Sequence, residues 1–211
     1  MSTLIAIAVL GVIVLLAEIF NLRKAIIPVT LAGLIATLGL TVSEFGVTES
    51  HFNNMIKVNN FTVSFSSLFI VLTIFLVALS ANFYQDRASK ISDFVSIKLF
   101  LLAGAVSMVS FGNLAMFFLG IEVLSIALYI LAGSDRLNVK SNEAGMKYFL
   151  MGSFASGIIL FGIALIYGAV GSFDMDMIYE ASNSATTVDW FYIGVSMITV
   201  GMLFKIATVP F

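Results

Sequence analysis

The chain has 211 residues, of which 60% are hydrophobic and only 10% charged, with a net charge of −2 and no cysteine. A soluble domain carries about a quarter charged residues, so this composition belongs to an integral membrane protein. The missing cysteines exclude disulfides, thiolate metal sites and chain-ligated iron–sulfur clusters, and the ten scattered basic residues leave no footprint for nucleic acid.

A membrane span needs ~20 mostly apolar residues. Seven stretches qualify: Thr3–Leu22, Ala25–Ser43, Ser64–Tyr84, Asp93–Phe111, Asn113–Gly133, Glu143–Val170 and Trp190–Val209. They are continuously apolar, as in LFIVLTIFLVAL and GIILFGIALIYG. Outer-membrane strands alternate polar and apolar residues over ~10 positions, so a barrel is excluded. The expectation is an all-α polytopic bundle of about seven spans.

The first span lacks a basic leader and a clear cleavage site, which predicts no removable signal peptide. Near its end, Glu18 lies within reach of Arg23 or Lys24, and Lys98 sits just inside the fourth span; both read as interfacial charges whose stems snorkel. The loops after spans one, three and five hold six basic residues, Arg23, Lys24, Arg87, Lys90, Arg136 and Lys140, whereas those after spans two, four and six hold only Lys57. Basic loops stay in the cytoplasm, which places the N-terminus outside. The long connection near 44–63 is polar and Asn-rich, predicting an extracytoplasmic surface loop without a span, with His51 an ordinary exposed histidine. The Trp190, Phe191, Tyr192 run opening the seventh span fits an interfacial aromatic anchor.

Three ionisable residues lie inside spans: Glu122, Lys147 and Lys205. Each costs roughly 2.5–3.5 kcal/mol at a helix centre, so such residues mark proton or ion pathways. Glu122 is nine residues into the fifth span, or about 13 Å deep. It shares a face with Ser125, Ile126 and Tyr129 at i+3, i+4 and i+7. Lys147 is nearer an end, but the small residues Gly145, Gly152, Ser153, Ser156 and Gly157 suit close helix packing and predict that it faces protein. Lys205 comes fifteen residues into the seventh span, ahead of Pro210, which is expected to interrupt the helix. Broken helices build ion sites where they line cavities. Burial disfavours a charged amine and a nearby carboxylate favours it, so moving or screening Glu122 would switch Lys205 between charge states. Motifs for phosphate cradles, zinc or activated nucleophiles are missing, which predicts no covalent chemistry on this chain.

Three blocks, FFLGIEVLSIALYILAG, AGMKYFLMGSFASGIILFGIALIYGAVGS and GMLFKIATVPF, resemble the antiporter-like membrane subunits of bacterial NADH–quinone oxidoreductase (respiratory complex I), closest to the subunit N branch, where Gly-Ile precedes the acid. The resemblance implies an inverted-repeat antiporter-like fold of which this chain holds most of the first repeat, ending where the family continues into further lysine-bearing helices. It implies three N-terminal helices over 1–92 and proton-translocating helices over 93–211, with Glu122, Lys147 and Lys205 as the family's charged residues. It also implies a multi-pass location in the bacterial inner membrane, with the lipid bilayer, protons and the other membrane and peripheral complex I subunits as partners. NADH, FMN, iron–sulfur clusters and quinone would be held by those other subunits, with no cofactor here. Multi-subunit cation/proton antiporters and membrane-bound hydrogenases share this plan, and a non-pumping scaffold with buried ions is the remaining alternative.

Overall fold

The computed structural model describes residues 1–20, 22–80, 91–183 and 189–209. The order of elements is α1 (Ser2–Ile19), α2 (Arg23–Ser43), β1 (Glu49–His51), β2 (Ile56–Val58), α3 (Asn60–Leu79), α4 (Ile91–Val109), α5 (Leu114–Ala132), α6 (Val139–Val170), α7 (Met175–Ser182) and α8 (Asp189–Lys205). Among the described residues, α1 to α6 are long and apolar enough to cross a membrane. The seventh expected span corresponds to α8, whose 17 residues extend about 25 Å. It stops at Lys205 and not at residue 209, because the chain turns through Ala207 at φ 53°. Pro210, expected to break it, lies outside the described residues.

Side-chain caps decide several boundaries. Asn59 accepts from the Thr62 backbone while Thr62 accepts from the Asn59 backbone, both at 2.9 Å, so α3 begins four residues before its apolar run. Asn138 accepts from the Lys140 backbone at 3.0 Å and starts α6 at Val139. At 32 residues, or ~48 Å, α6 outruns a ~30 Å hydrocarbon core.

Two departures from a plain helical bundle occur at one end. The 44–63 connection forms no span of its own and carries a hairpin: β1 and β2 pair antiparallel, Glu49 opposite Val58 and His51 opposite Ile56. Ile56 and Val58 are buried beneath the hairpin. Its turn carries Phe52, Asn53 and Asn54 at positive φ. The Lys57 amide donates to Ser110 at 2.8 Å and the Gly112 amide to Met55 at 2.8 Å, which ties the hairpin to the α4–α5 turn. A Cβ on Gly112 would strike the Asn54 carbonyl. The short helix α7, capped by Asp174, packs on the same end. Lys57 Nζ meets Asp176 at 2.7 Å and Asn54 donates to Asp174 at 2.7 Å, while His51 pairs with Glu49 at 3.4 Å. The polar composition of these segments hid them, since neither carries a span-length apolar run.

The opposite end holds the α1–α2 turn, where Arg23 meets Glu18 at 2.9 Å and Ser92 donates to the same carboxylate, as expected of an interfacial acid. Arg136 and Lys140 stand at this end too, while Arg87 and Lys90 lie outside the described residues. Lys98 donates to Ser80 at 2.8 Å.

Buried side chains form two groups. One runs from α1 to α4 around Ile7, Leu34, Ile70 and Leu99; the other joins α5 to α8 around Leu114, Ile159, Ile163 and Phe191. Within the second, α6 and α8 touch backbone to backbone. A Cβ on Gly162 would lie 2.7 Å from the Gly194 carbonyl, and one on Gly194 would lie 2.7 Å from that of Gly162. With lipid as apolar as leucine, such close approach is what holds two membrane helices together.

Candidate functional site: a lysine–carboxylate cluster inside the bundle

Lys205 is the last helical residue of α8, and its side chain folds back between α5 and α6. The ammonium donates to Ser125 Oγ at 2.8 Å, Ser156 Oγ at 2.9 Å, Tyr129 Oη at 3.3 Å and Glu122 Oε1 at 3.5 Å. Ser125, Tyr129 and Glu122 come from one face of α5, as their i, i+3, i+7 spacing predicts; Ile126, assigned to that face, is exposed instead. Ser156 comes from α6.

The carboxylate is the most distant of the four acceptors. Ser156 stands between the charges, its hydroxyl donating to Glu122 Oε1 while its oxygen accepts from Lys205. At 3.5 Å two unit charges attract by on the order of 5 kcal/mol at an effective dielectric near 20. Taking two charges out of water costs several kcal/mol per ion, so the attraction offsets that cost only together with the hydroxyl hydrogen bonds around the pair.

The side chains are mostly withdrawn from the surface, Lys205 being 13% exposed and Glu122 24%. Tyr129 is 7% exposed. Its ring packs edge-on against Tyr148 at 4.7 Å and Phe149 at 5.9 Å between centroids. Its hydroxyl occupies the notch left by Gly152, where any Cβ would overlap it. Among the small residues of α6, Gly145 and Gly152 thus pack on α5, whereas Gly157 meets nothing and Ser153 is exposed.

Lys147 is not part of the cluster. Its side chain is 69% exposed and pairs with Glu143 at 2.5 Å, one turn earlier on α6. The cluster thus gathers two of the three charged residues singled out in the sequence, and the side of α6 that carries Lys147 is exposed in this chain. Gly145 fixes the inward direction of α6, and two residues further on the helix has turned by ~200°, so Lys147 points away from α5. Sequence reading also missed the bridging role of Ser156, seen there only as a small packing residue. Its position between Gly152 and Ile159 on the buried face was the available signal, since an inward hydroxyl needs a polar partner.

A part-buried acid and amine from separate helices, joined through hydroxyls inside a helical membrane bundle, define an antiporter-like membrane subunit. The comparisons agree. The family described as NADH:quinone oxidoreductase/Mrp antiporter transmembrane region matches residues 112–211, which hold all of α5 to α8. The chain is 68% identical over its full length to NADH-quinone oxidoreductase subunit N of Flavobacterium johnsoniae, 65% to that of Flavobacterium psychrophilum and 42% to that of Cytophaga hutchinsonii, covering 46% of each. Respiratory complex I from Thermus thermophilus contains a chain that superposes at a TM-score of 0.81 with 27% identity, over 99% of this chain and 45% of that one. A chain of the membrane-bound sulfane sulfur reductase, an archaeal respiratory membrane complex, shares the fold at a TM-score of 0.71 and 21% identity, over 95% of this chain and 44% of its own length. The chain belongs to the antiporter-like membrane subunit family of NADH–quinone oxidoreductases, on the subunit N branch. It spans about half the length of the curated relatives that it matches.

Proposed function

We propose that this chain carries part of the proton path of a proton-pumping NADH–quinone oxidoreductase in the bacterial inner membrane. Residues 93–211 form the translocating unit, with Glu122, Lys147 and Lys205 as its charged residues. The supporting observation is the seat of Lys205, whose ammonium has four oxygen acceptors, with Ser156 standing between it and Glu122. When Glu122 is drawn away or screened, the charged amine loses its counter-ion and sheds its proton; when Glu122 returns, the amine takes one up. Electron transfer from NADH to quinone occurs on partner subunits, which hold NADH, FMN, the iron–sulfur clusters and the quinone. This chain supplies no redox group. The end of the bundle rich in Arg and Lys faces the cytoplasm, by the loop charges. Lys147 couples the path to that side through a group brought against the exposed face of α6, where among the described residues it pairs with Glu143.

The test is proton translocation per NADH oxidised, measured on the assembled complex in proteoliposomes. Glu122→Ala or Lys205→Ala in the full-length subunit abolishes most of it. Unchanged translocation would remove both residues from the path and favour the scaffold reading. Cation-dependent proton exchange without NADH would instead favour the multi-subunit antiporter reading, which the family's shared name supports.

A further inference from the structure

A groove of about 930 Å³ lies between α1, α4, α5 and α6, at the end bearing the α5–α6 loop. Such a volume falls within the ~300–1,000 Å³ range of ligand sites. Its mouth carries two opposite charges, Asp93 in the first turn of α4 and Arg136 in the α5–α6 loop, with Ser134 and Asn142 beside them. Among the described residues, neither the Asp93 carboxylate nor the Arg136 guanidinium has an ion pair or a hydrogen bond, and the two do not meet each other. Below the mouth the wall is apolar, and Leu15, Ile130, Met146 and Phe149 are exposed along it. At its inner end the ring of Phe100 rests on Gly11 of α1. Phe100 is nine residues into α4, or about 14 Å from the helix start. Half of a ~30 Å hydrocarbon core is the same depth, so the groove runs the length of one leaflet.

We propose that this groove is a binding site for one phospholipid with a zwitterionic headgroup of the phosphatidylethanolamine kind. Its phosphate sits on Arg136, whose planar fork suits two phosphate oxygens at once, and its ammonium sits on Asp93. Ser134 and Asn142 have the polar groups to hydrogen-bond the remaining headgroup oxygens, and one acyl chain lies along the apolar wall towards Phe100. The paired charges select the headgroup. A purely anionic lipid would set its charge against Asp93, and a purely cationic amphiphile would set its own against Arg136. A zwitterion satisfies both, and each contact is made at a mouth where the protein leaves the two charges apart. Neither Glu122 nor Lys205 takes part, so the site stands independently of the proton path.

The test places the assembled complex in proteoliposomes containing phosphatidylethanolamine with a diazirine midway along one acyl chain, followed by irradiation and peptide mass spectrometry. Label is expected on Ile130, Met146 and Phe149. Arg136→Gln or Asp93→Asn lowers it there about tenfold, the worth of one charge-assisted hydrogen bond, and leaves labelling elsewhere on the complex unchanged. Phosphatidylglycerol carrying the same chain labels the three residues weakly in the parent complex, a comparison that needs no substitution and so holds even if a variant does not assemble. Equal labelling by the two lipids, or equal labelling of parent and variants, would show that the groove selects no headgroup and would overturn the proposal. Label on other lipid-facing residues with none in the groove would assign it to a neighbouring subunit, which overturns the proposal as well.

Discussion

Two lysine–carboxylate pairs among the described residues bridge separate elements, and they are built in opposite ways. Lys57 and Asp176, at the hairpin end, are in contact at 2.7 Å, with the aspartate side chain 71% exposed. Lys205 and Glu122, inside the bundle, stand 3.5 Å apart with a serine hydroxyl between them and little exposure. The shorter pair is the weaker, since water screens it and its ions keep their hydration when separated. The longer pair is largely shielded from water, so losing either member leaves the other charge with hydroxyl partners only. Distance ranks neither their energy nor their use; surroundings do.

The sharpest way to break this contrast is to remove one member of each pair. Glu122→Ala leaves the Lys205 ammonium without a counter-ion and is expected to destabilise the purified full-length subunit by about 3–5 kcal/mol. Glu122→Ala/Lys205→Met recovers much of that loss. Chemical unfolding in detergent measures both, and equal stability of the two variants would show that the interior charges are not coupled.

Ser156→Ala has the next effect. It deletes the hydroxyl that donates to Glu122 and accepts from Lys205, at an expected cost of about 1–2 kcal/mol, and it slows proton translocation without abolishing it. Retention of full stability and rate would place the bridge outside the working geometry. Lys57→Ala ranks lower: its unfolding midpoint stays within scatter of the parent, and the small difference shrinks further with added salt. A loss as large as that of Glu122→Ala would erase the distinction between the pairs.

The smallest effect is a pH dependence at the hairpin end. Hydrogen bonds from Lys57 and Asn54, reinforced by the lysine charge, hold the Asp176 carboxyl below its ordinary value of 3.8. A carboxyl lowered on folding contributes stability that is complete above the unfolded value and is lost as pH falls through the folded one. Docking of α7 to the hairpin is therefore unchanged from neutrality to about pH 4 and loosens only below it. Hydrogen exchange at the Lys57 and Gly112 amides, followed down the pH scale, reads this directly; loosening already at about pH 6 would assign the contact to another group.

The spans were legible because apolar runs of membrane length have few alternatives, and the Glu122, Ser125, Tyr129 face followed from helical periodicity alone. What was not legible depended on tertiary contact. The meeting of Lys205 with residues some 80 positions earlier requires α8 to lie in the groove of α5 and α6, which no local pattern encodes. The hairpin formed from a segment that reads as polar loop, because burial of Ile56 and Val58 under short strands leaves only a two-residue trace. Lys147 stays outside the cluster because small residues sit on more than one side of α6. Gly145 and Gly152 face α5, but the side chain of interest lies on the other flank.

The backbone contact between Gly162 and Gly194 makes α6 and α8 a single rigid rail, on which Ser156 and Lys205 ride together. Glu122 and Tyr129 ride on the neighbouring helix, pinned to that rail near the loop end where Gly133 meets Gly145. The far end of α5 is tied as well, the Leu114 amide donating to the Phe173 carbonyl at 2.9 Å, so the acid on α5 and the amine on α8 are held in register from both ends of the helix.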